Sequence, residues 1–194
     1  MRKYFYLILL VAIFLLAGCN REVIETNMSK KVADFSFTTE SNESLALDDL
    51  KGKYWIADFI FTNCTTVCLP MSANMKYLQD TTIDKGYDIQ FVSFSVDPDY
   101  DSPDILTEYA ADYEADLNSW TFLTGYDFDT IRELSIKSFQ SPVYAPVDGD
   151  DQVMHGTNFF LVNPQGKVIK KYDGVQSSNM EIILDDLEQI FAAS

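Results

Sequence analysis

The hydrophobic pattern of this chain changes period repeatedly between about residue 32 and the C-terminus. Residues 35–38 alternate as a strand does, and 40–43 read as a turn. Residues 45–50 form a short helical or irregular link that closes at Lys51-Gly52. The run Trp55-Ile56-Ala57-Asp58-Phe59-Ile60-Phe61 is almost wholly apolar, aromatic and branched, the signature of a buried strand. Thr62-Asn63 breaks it, and 72–79 are compatible with a helix whose first turn would be 64–68. After a loop at 81–86, residues 89–96 form a second strand that stops at Asp97-Pro98, since proline cannot donate to a central ladder. Ser102-Pro103 is a helix start, with serine as cap and proline in the first turn. That helix runs to about 113, and 120–123 are a short strand. Asp127 or Asp129 caps a further helix with Ile131, Leu134 and Ile136 toward a core. Residues 140–151 are a long polar loop with Pro142 and Pro146. Residues 157–162, a turn at 163–166 and 167–172 make a hairpin, and 180–191 an amphipathic helix. Helices alternating with strands, closed by a hairpin, predict an α/β fold: a thioredoxin-like three-layer α/β/α sandwich on a central mixed sheet.

The first residues do not belong to that pattern. Arg2-Lys3 followed by an apolar stretch over 4–16, too short for a comfortable membrane span, reads as a targeting segment. It ends in Leu16-Ala17-Gly18-Cys19, which resembles the bacterial lipobox. That motif implies cleavage before Cys19 and a diacylglyceryl, palmitate-bearing N-terminus. The organisation expected is a lipoprotein signal peptide over 1–18, a lipid anchor and polar tether over 19–31, and one domain over 32–194. The domain would face the extracytoplasmic side of the cell membrane. The chain carries 30 acidic against 14 basic residues, a net charge of −16, which excludes a nucleic-acid surface and mildly favours a monomer.

Lipidation of Cys19 leaves one pair of the three cysteines, Cys64 and Cys68. On a helix, residues four apart share a face, and a helix start favours thiolate over thiol. Thr62 or Asn63 could cap such a helix. The spacing serves a redox disulfide or a soft-metal site, and equally two buried structural cysteines. His155, the lone histidine, precedes the strand at 157–162. In a thioredoxin-like sheet that loop comes close to the cysteines, and a Cys2His set suits Cu(I), Cu(II) or Zn(II). Standing alone, His155 would read as a surface or packing residue. Met71 and Met154 are soft atoms nearby that read as core.

Phe61-Thr62-Asn63-Cys64-Thr65-Thr66-Val67-Cys68, the segments 93–98 (SFSVDP) and 161–167 (LVNPQGK), and His155 together resemble the Sco/SenC family of membrane-anchored copper proteins. Asp101-Ser102-Pro103 and 122–125 (FLTG) fit as well. The resemblance implies Cys64, Cys68 and His155 as ligands of one copper ion, Cu(I) or Cu(II). It also implies cytochrome c oxidase subunit II, through its CuA site, as the partner. Asp97 matches an acidic position of the family, and also reads as a plain strand-end turn. The family usually has proline directly after the second cysteine; here Leu69 intervenes before Pro70.

Two functions from different classes follow. A metallochaperone would hold copper on the three ligands and pass it on through an open position. A thiol:disulfide oxidoreductase would reduce the CuA-site cysteines with Cys64 attacking and Cys68 resolving, re-reduced by a thiol reductant protein. A peroxiredoxin-like peroxidase fits less well, since Arg132 is the one arginine after Arg21 and no motif ties it to Cys64. A redox-sensing role is also open.

Overall fold

The computed structural model describes residues 23–64, 66–147 and 149–193. The targeting segment and Cys19 lie outside them. Eight strands form one mixed sheet: β1 (Lys30–Lys31), β2 (Ser36–Thr39), β3 (Ser44–Ala46), β4 (Tyr54–Ile60), β5 (Ile89–Ser95), β6 (Trp120–Thr124), β7 (Asn158–Val162) and β8 (Lys167–Asp173). Their order is β1-β8-β7-β4-β5-β6-β2-β3. The centre, β4-β5-β6, is parallel, while β7, β8 and the N-terminal strands add antiparallel. The helices are α1 (Cys68–Asp84), α2 (Pro103–Asp112), α3 (Phe128–Phe139) and α4 (Ser178–Ala192), with a short 3-10 turn at Leu47–Leu50.

Period-two alternation along β4 divides the core. Trp55, Ala57 and Phe59 face the layer of α3, whereas Ile56 and Ile60 face that of α1, α2 and α4. The three-layer sandwich is therefore the expected one. Ser102 caps α2 by accepting from the Ile105 amide, and of the two aspartates it is Asp127 that caps α3, accepting from the Thr130 amide.

Four expectations are corrected. Helix α1 starts at Cys68, with Val67 in the cap position and no side-chain cap. The reason is Pro70. A helix begun at Cys64 would need the Pro70 N–H for the Thr66 carbonyl, and the ring would collide with that carbonyl; from Cys68, proline falls in the first turn, where no N–H is required. Helix α1 also continues to Asp84, inside the expected loop at 81–86, with the Thr81 and Thr82 hydroxyls bonded back to the Tyr77 and Gln79 carbonyls. Gly86 (φ +70) closes it, its amide meeting Ile83 O while Tyr87 N meets Thr82 O. Ile136 is 47% exposed, since Ile131, Leu134, Ser135, Ser138 and Phe139 already fill the inward stripe of α3. Finally, the segment read as tether is packed from Ile24 on: Ile24 and Met28 are buried, and Asn27 exchanges hydrogen bonds with Lys171.

Asp58 interrupts the apolar run of β4, is fully buried, and faces the α1 layer. Its Oδ1 accepts from the Ser93 hydroxyl (2.6 Å), which itself accepts from Trp120 Nε1 (2.9 Å); Oδ2 has no partner among the described residues. Burial pushes its carboxyl up to about 7. The native state therefore holds the Asp58 proton more tightly than the unfolded chain. That contribution is complete at low pH and is lost as pH rises through the window from about 4 to about 7, amounting to as much as ~4 kcal/mol. Asp58→Asn is expected to remove this slope, so that its stability relative to the native sequence increases between urea unfolding at pH 5 and at pH 8. Parallel pH profiles would refute this account.

Candidate metal and redox centre

Three elements bring the cysteines and the histidine together. Cys64 lies in the turn after β4, its amide donating to Phe61 O (3.3 Å). Cys68 is the first residue of α1. His155 lies just before β7. Gly156 beside it packs on Ser141, whose Oγ would stand 2.6 Å from any Cβ there, so a larger residue would have to displace that hydroxyl. One ligand atom from each of Cys64, Cys68 and His155 lies within 4.8 Å of the others. Both cysteines are buried free thiols and His155 is half-buried.

His155 Nε2 stands 3.5 Å from Cys68 Sγ. Its Nδ1 stands 3.0 Å from the Gly156 carbonyl. Since a carbonyl only accepts, Nδ1 carries the proton, and Nε2 presents its lone pair to the sulfurs. A backbone carbonyl on the far nitrogen is the arrangement that orients metal-binding imidazoles. The Phe61 ring packs edge-on to His155 at 5.7 Å and limits its rotation.

The two sulfurs are inequivalent. The hydrogen bond from Cys68 holds Cys64 well below the usual thiol range, at about 3, against the opposing effect of burial. The same bond, together with burial, pushes Cys68 up. The pair is therefore a Cys64 thiolate beside a Cys68 thiol. Cys68, not Cys64, occupies the helix start, so helix position does not favour the Cys64 thiolate; the deeper burial of Cys68 does.

Thr62 and Asn63 do not cap α1 but reach across the fold. Thr62 donates to the buried Asp101 carboxylate through its hydroxyl (2.5 Å) and its amide (3.3 Å to each oxygen). Asn63 Nδ2 donates to Asp151 Oδ2 (2.8 Å), and its carbonyl accepts from Gln152 Nε2 (3.1 Å), tying the cysteine turn to the loop that carries His155. Asp97 stands outside the three-residue cluster, its carbonyl closing the turn to Tyr100 and Asp101 amides. Met71 is core, as expected, but Met154 is 56% exposed and lines a cavity of about 240 Å³ with Phe61, Cys64, Val67 and His155. Leu69 is 58% exposed. Arg132 pairs with Asp129 on the outer face of α3 and is no part of the cluster. The contribution of Asp101 was not read from the sequence; the available signal was an acid directly before a Ser-Pro helix cap, where an ordinary turn would serve equally well.

A thioredoxin-like sheet with two soft sulfurs and an oriented imidazole at the end of its central strand defines a class of thiol and soft-metal proteins. Within that class, the model of the SCO1/SenC family matches residues 24–192, and the chain belongs to that family. The SCO1 protein homolog of Bacillus subtilis (strain 168) is 41% identical over 179 residues, 92% of each chain. Among solved structures, a SCO1/SenC family lipoprotein from Bacillus anthracis str. Ames is similar with TM-score 0.79 and 44% identity, over 82% of this chain and 94% of that one. BsSco, described as a member of the Sco family of cytochrome c oxidase assembly proteins with a disulfide switch, is similar with TM-score 0.77 and 40% identity, over 86% and 97%. Yeast Sco1 with copper bound is similar with TM-score 0.64 and 25% identity, over 80% and 87%.

Proposed function

We propose that this protein is a copper metallochaperone for assembly of the CuA centre of cytochrome c oxidase subunit II. The observation that carries this reading is the cluster of Cys64, Cys68 and His155 ligand atoms within 4.8 Å of one another. Copper in yeast Sco1 and the oxidase-assembly description of BsSco support it. Two thiolates and a neutral imidazole fit copper in either oxidation state. Copper is cargo here: Cys64 and Cys68 hold it through sulfur, His155 through Nε2, and the cavity beside Met154 is the side from which soft ligands of a partner approach. The lipid on Cys19 would keep the domain extracytoplasmic, beside a membrane-bound client; no helix among the described residues is long and apolar enough to cross a membrane itself.

Titration of the reduced protein is expected to give one copper per chain and a thiolate-to-copper charge-transfer band. His155→Ala should weaken binding by about 10- to 100-fold or more and shift the band. Binding that stays as tight and spectrally unchanged in His155→Ala would defeat the three-ligand reading.

The Cys64 thiolate beside a Cys68 thiol favours a second, compatible activity. Cys64 sulfur attacks a client disulfide and expels one client thiolate. Cys68, giving up its proton, then attacks the Cys64 sulfur of the mixed disulfide and expels the second. Two electrons pass to the client, the Cys64–Cys68 disulfide forms, and a thiol reductant protein must restore the pair. Metal-free protein that leaves a disulfide peptide of subunit II unreduced would remove this activity.

A further inference from the structure

The cysteine turn is held from outside by a group that no ligand role explains. Asp101 is an ionisable side chain with no exposed surface, in the turn between β5 and α2. Its Oδ1 accepts from the Thr62 hydroxyl at 2.5 Å, its Oδ2 from the Ser95 hydroxyl at 2.6 Å, and both oxygens face the Thr62 amide at 3.3 Å. All of these donors are neutral, and no cation pairs with it among the described residues. The charge that acts on it is that of another acid, Asp97. A buried carboxylate without a counter-charge is a costly way to close a turn. Two neutral hydroxyls and an amide could be satisfied by less expensive groups.

What Asp101 achieves is positional. Its own backbone is fixed: its amide bonds Asp97 O (2.9 Å), and Ser102, directly after it, caps α2. Thr62, by contrast, lies just past the end of β4 and two residues before Cys64, in a turn whose following helix has no side-chain cap. Asn63 is tied to the loop of His155, which is itself a loop. Of the two ties, only the one through Thr62 leads to the turn that joins β5 to a capped helix.

We propose that Asp101 is a positioning residue of the metal and redox centre, holding Thr62, and through it Cys64, at the separation from Cys68 and His155 that ligation and disulfide closure require. The copper part of this statement rests on the function proposed above; the dithiol part does not. Asparagine at 101 keeps the shape but turns an N–H2 donor toward a site lined with donors. Thr62→Val keeps the shape of threonine and removes its hydroxyl donor, whereas Thr62→Ser restores the hydroxyl.

The test compares the native protein with Asp101→Asn, Thr62→Val and Thr62→Ser. It uses three readouts: thermal midpoint, copper affinity by chelator competition with the charge-transfer band, and the Cys64–Cys68 dithiol–disulfide equilibrium in a dithiothreitol buffer without copper. Asp101→Asn and Thr62→Val are expected to weaken copper binding about 10- to 100-fold and to shift the band, as loss of an outer partner does. They should lower the equilibrium constant for closing the disulfide about 10-fold, or about 30 mV. Thr62→Ser should match the native protein in both. Folded Asp101→Asn and Thr62→Val with native affinity, band and dithiol equilibrium, and only a lower thermal midpoint, would overturn the proposal and leave Asp101 as a turn residue. If Asp101→Asn does not fold, the Thr62→Val and Thr62→Ser pair decides. If the native protein takes up no copper, the copper reading falls, and the metal-free dithiol equilibrium still decides the role of Asp101.

Discussion

Cys68→Ser is expected to abolish stoichiometric copper binding while leaving a folded protein. Cys68 is buried at the first position of α1, with His155 Nε2 3.5 Å from its sulfur. A serine hydroxyl is a hard oxygen that stays protonated at neutral pH, so it offers copper neither the softness nor the charge of a thiolate. Cys64 and His155 then remain as a two-ligand remnant. The loss should exceed ~100-fold in affinity, the upper end of what removal of a group behind a ligand costs. The charge-transfer band should fall with it. The fold should persist, because the hydroxyl keeps a partner in His155 and the volume change is small; circular dichroism and the thermal midpoint check this. Chelator competition showing native affinity in Cys68→Ser would exclude this sulfur as a ligand. The same variant should lose the dithiol activity as well, since Cys64 alone forms a mixed disulfide but cannot resolve it.

Phe139→Ala is expected to be the most destabilising single truncation away from the centre, at about 3–5 kcal/mol. Phe139 is the last residue of α3 and is fully buried. Its ring meets Phe160 at 5.2 Å, Phe59 at 5.3 Å, Phe94 at 6.0 Å and Trp55 at 6.3 Å between centroids, mostly edge to face. It therefore joins β4, β5 and β7 to α3, and Gln140 in the left-handed region (φ 53) turns the chain directly after it. Four rings around one vacancy cannot all close it, so the cavity term adds to the lost transfer energy. Urea unfolding gives the value; a loss below about 1.5 kcal/mol would mean that the rings collapse into the space. Copper affinity of the folded fraction should change little, since the ring packed on His155 is that of Phe61, which is none of these.

Much of this architecture is local and was legible. The period-two runs of β4 and β5, the Ser102-Pro103 start of α2 and the 163–166 turn each carry their structure in a few adjacent residues. So does the choice of chemistry: two cysteines four apart and one histidine are a soft donor set wherever they meet. The helix start is legible too, in Pro70 rather than in the cysteine spacing, because that proline excludes an earlier start on steric grounds alone. The inward face of α3 was half legible, for Ile136 is as apolar as Ile131 and only its angular position separates them.

By itself, then, the sequence determined the six strands other than the short edge strands β1 and β3, the alternation with helices, the soft donors and their family resemblance, since these follow from residue type and near-neighbour spacing. Tertiary structure alone decided the rest. It brought His155 to the Cys68 sulfur, 87 residues away, buried Cys68 more deeply than Cys64 and so favoured Cys64 as the thiolate, and set Asp101 behind Thr62. These are contacts between groups distant along the chain, and the energies that shift a pKa or hold a turn depend on burial and on separations of a few ångströms, which exist only once the sheet has brought the segments together.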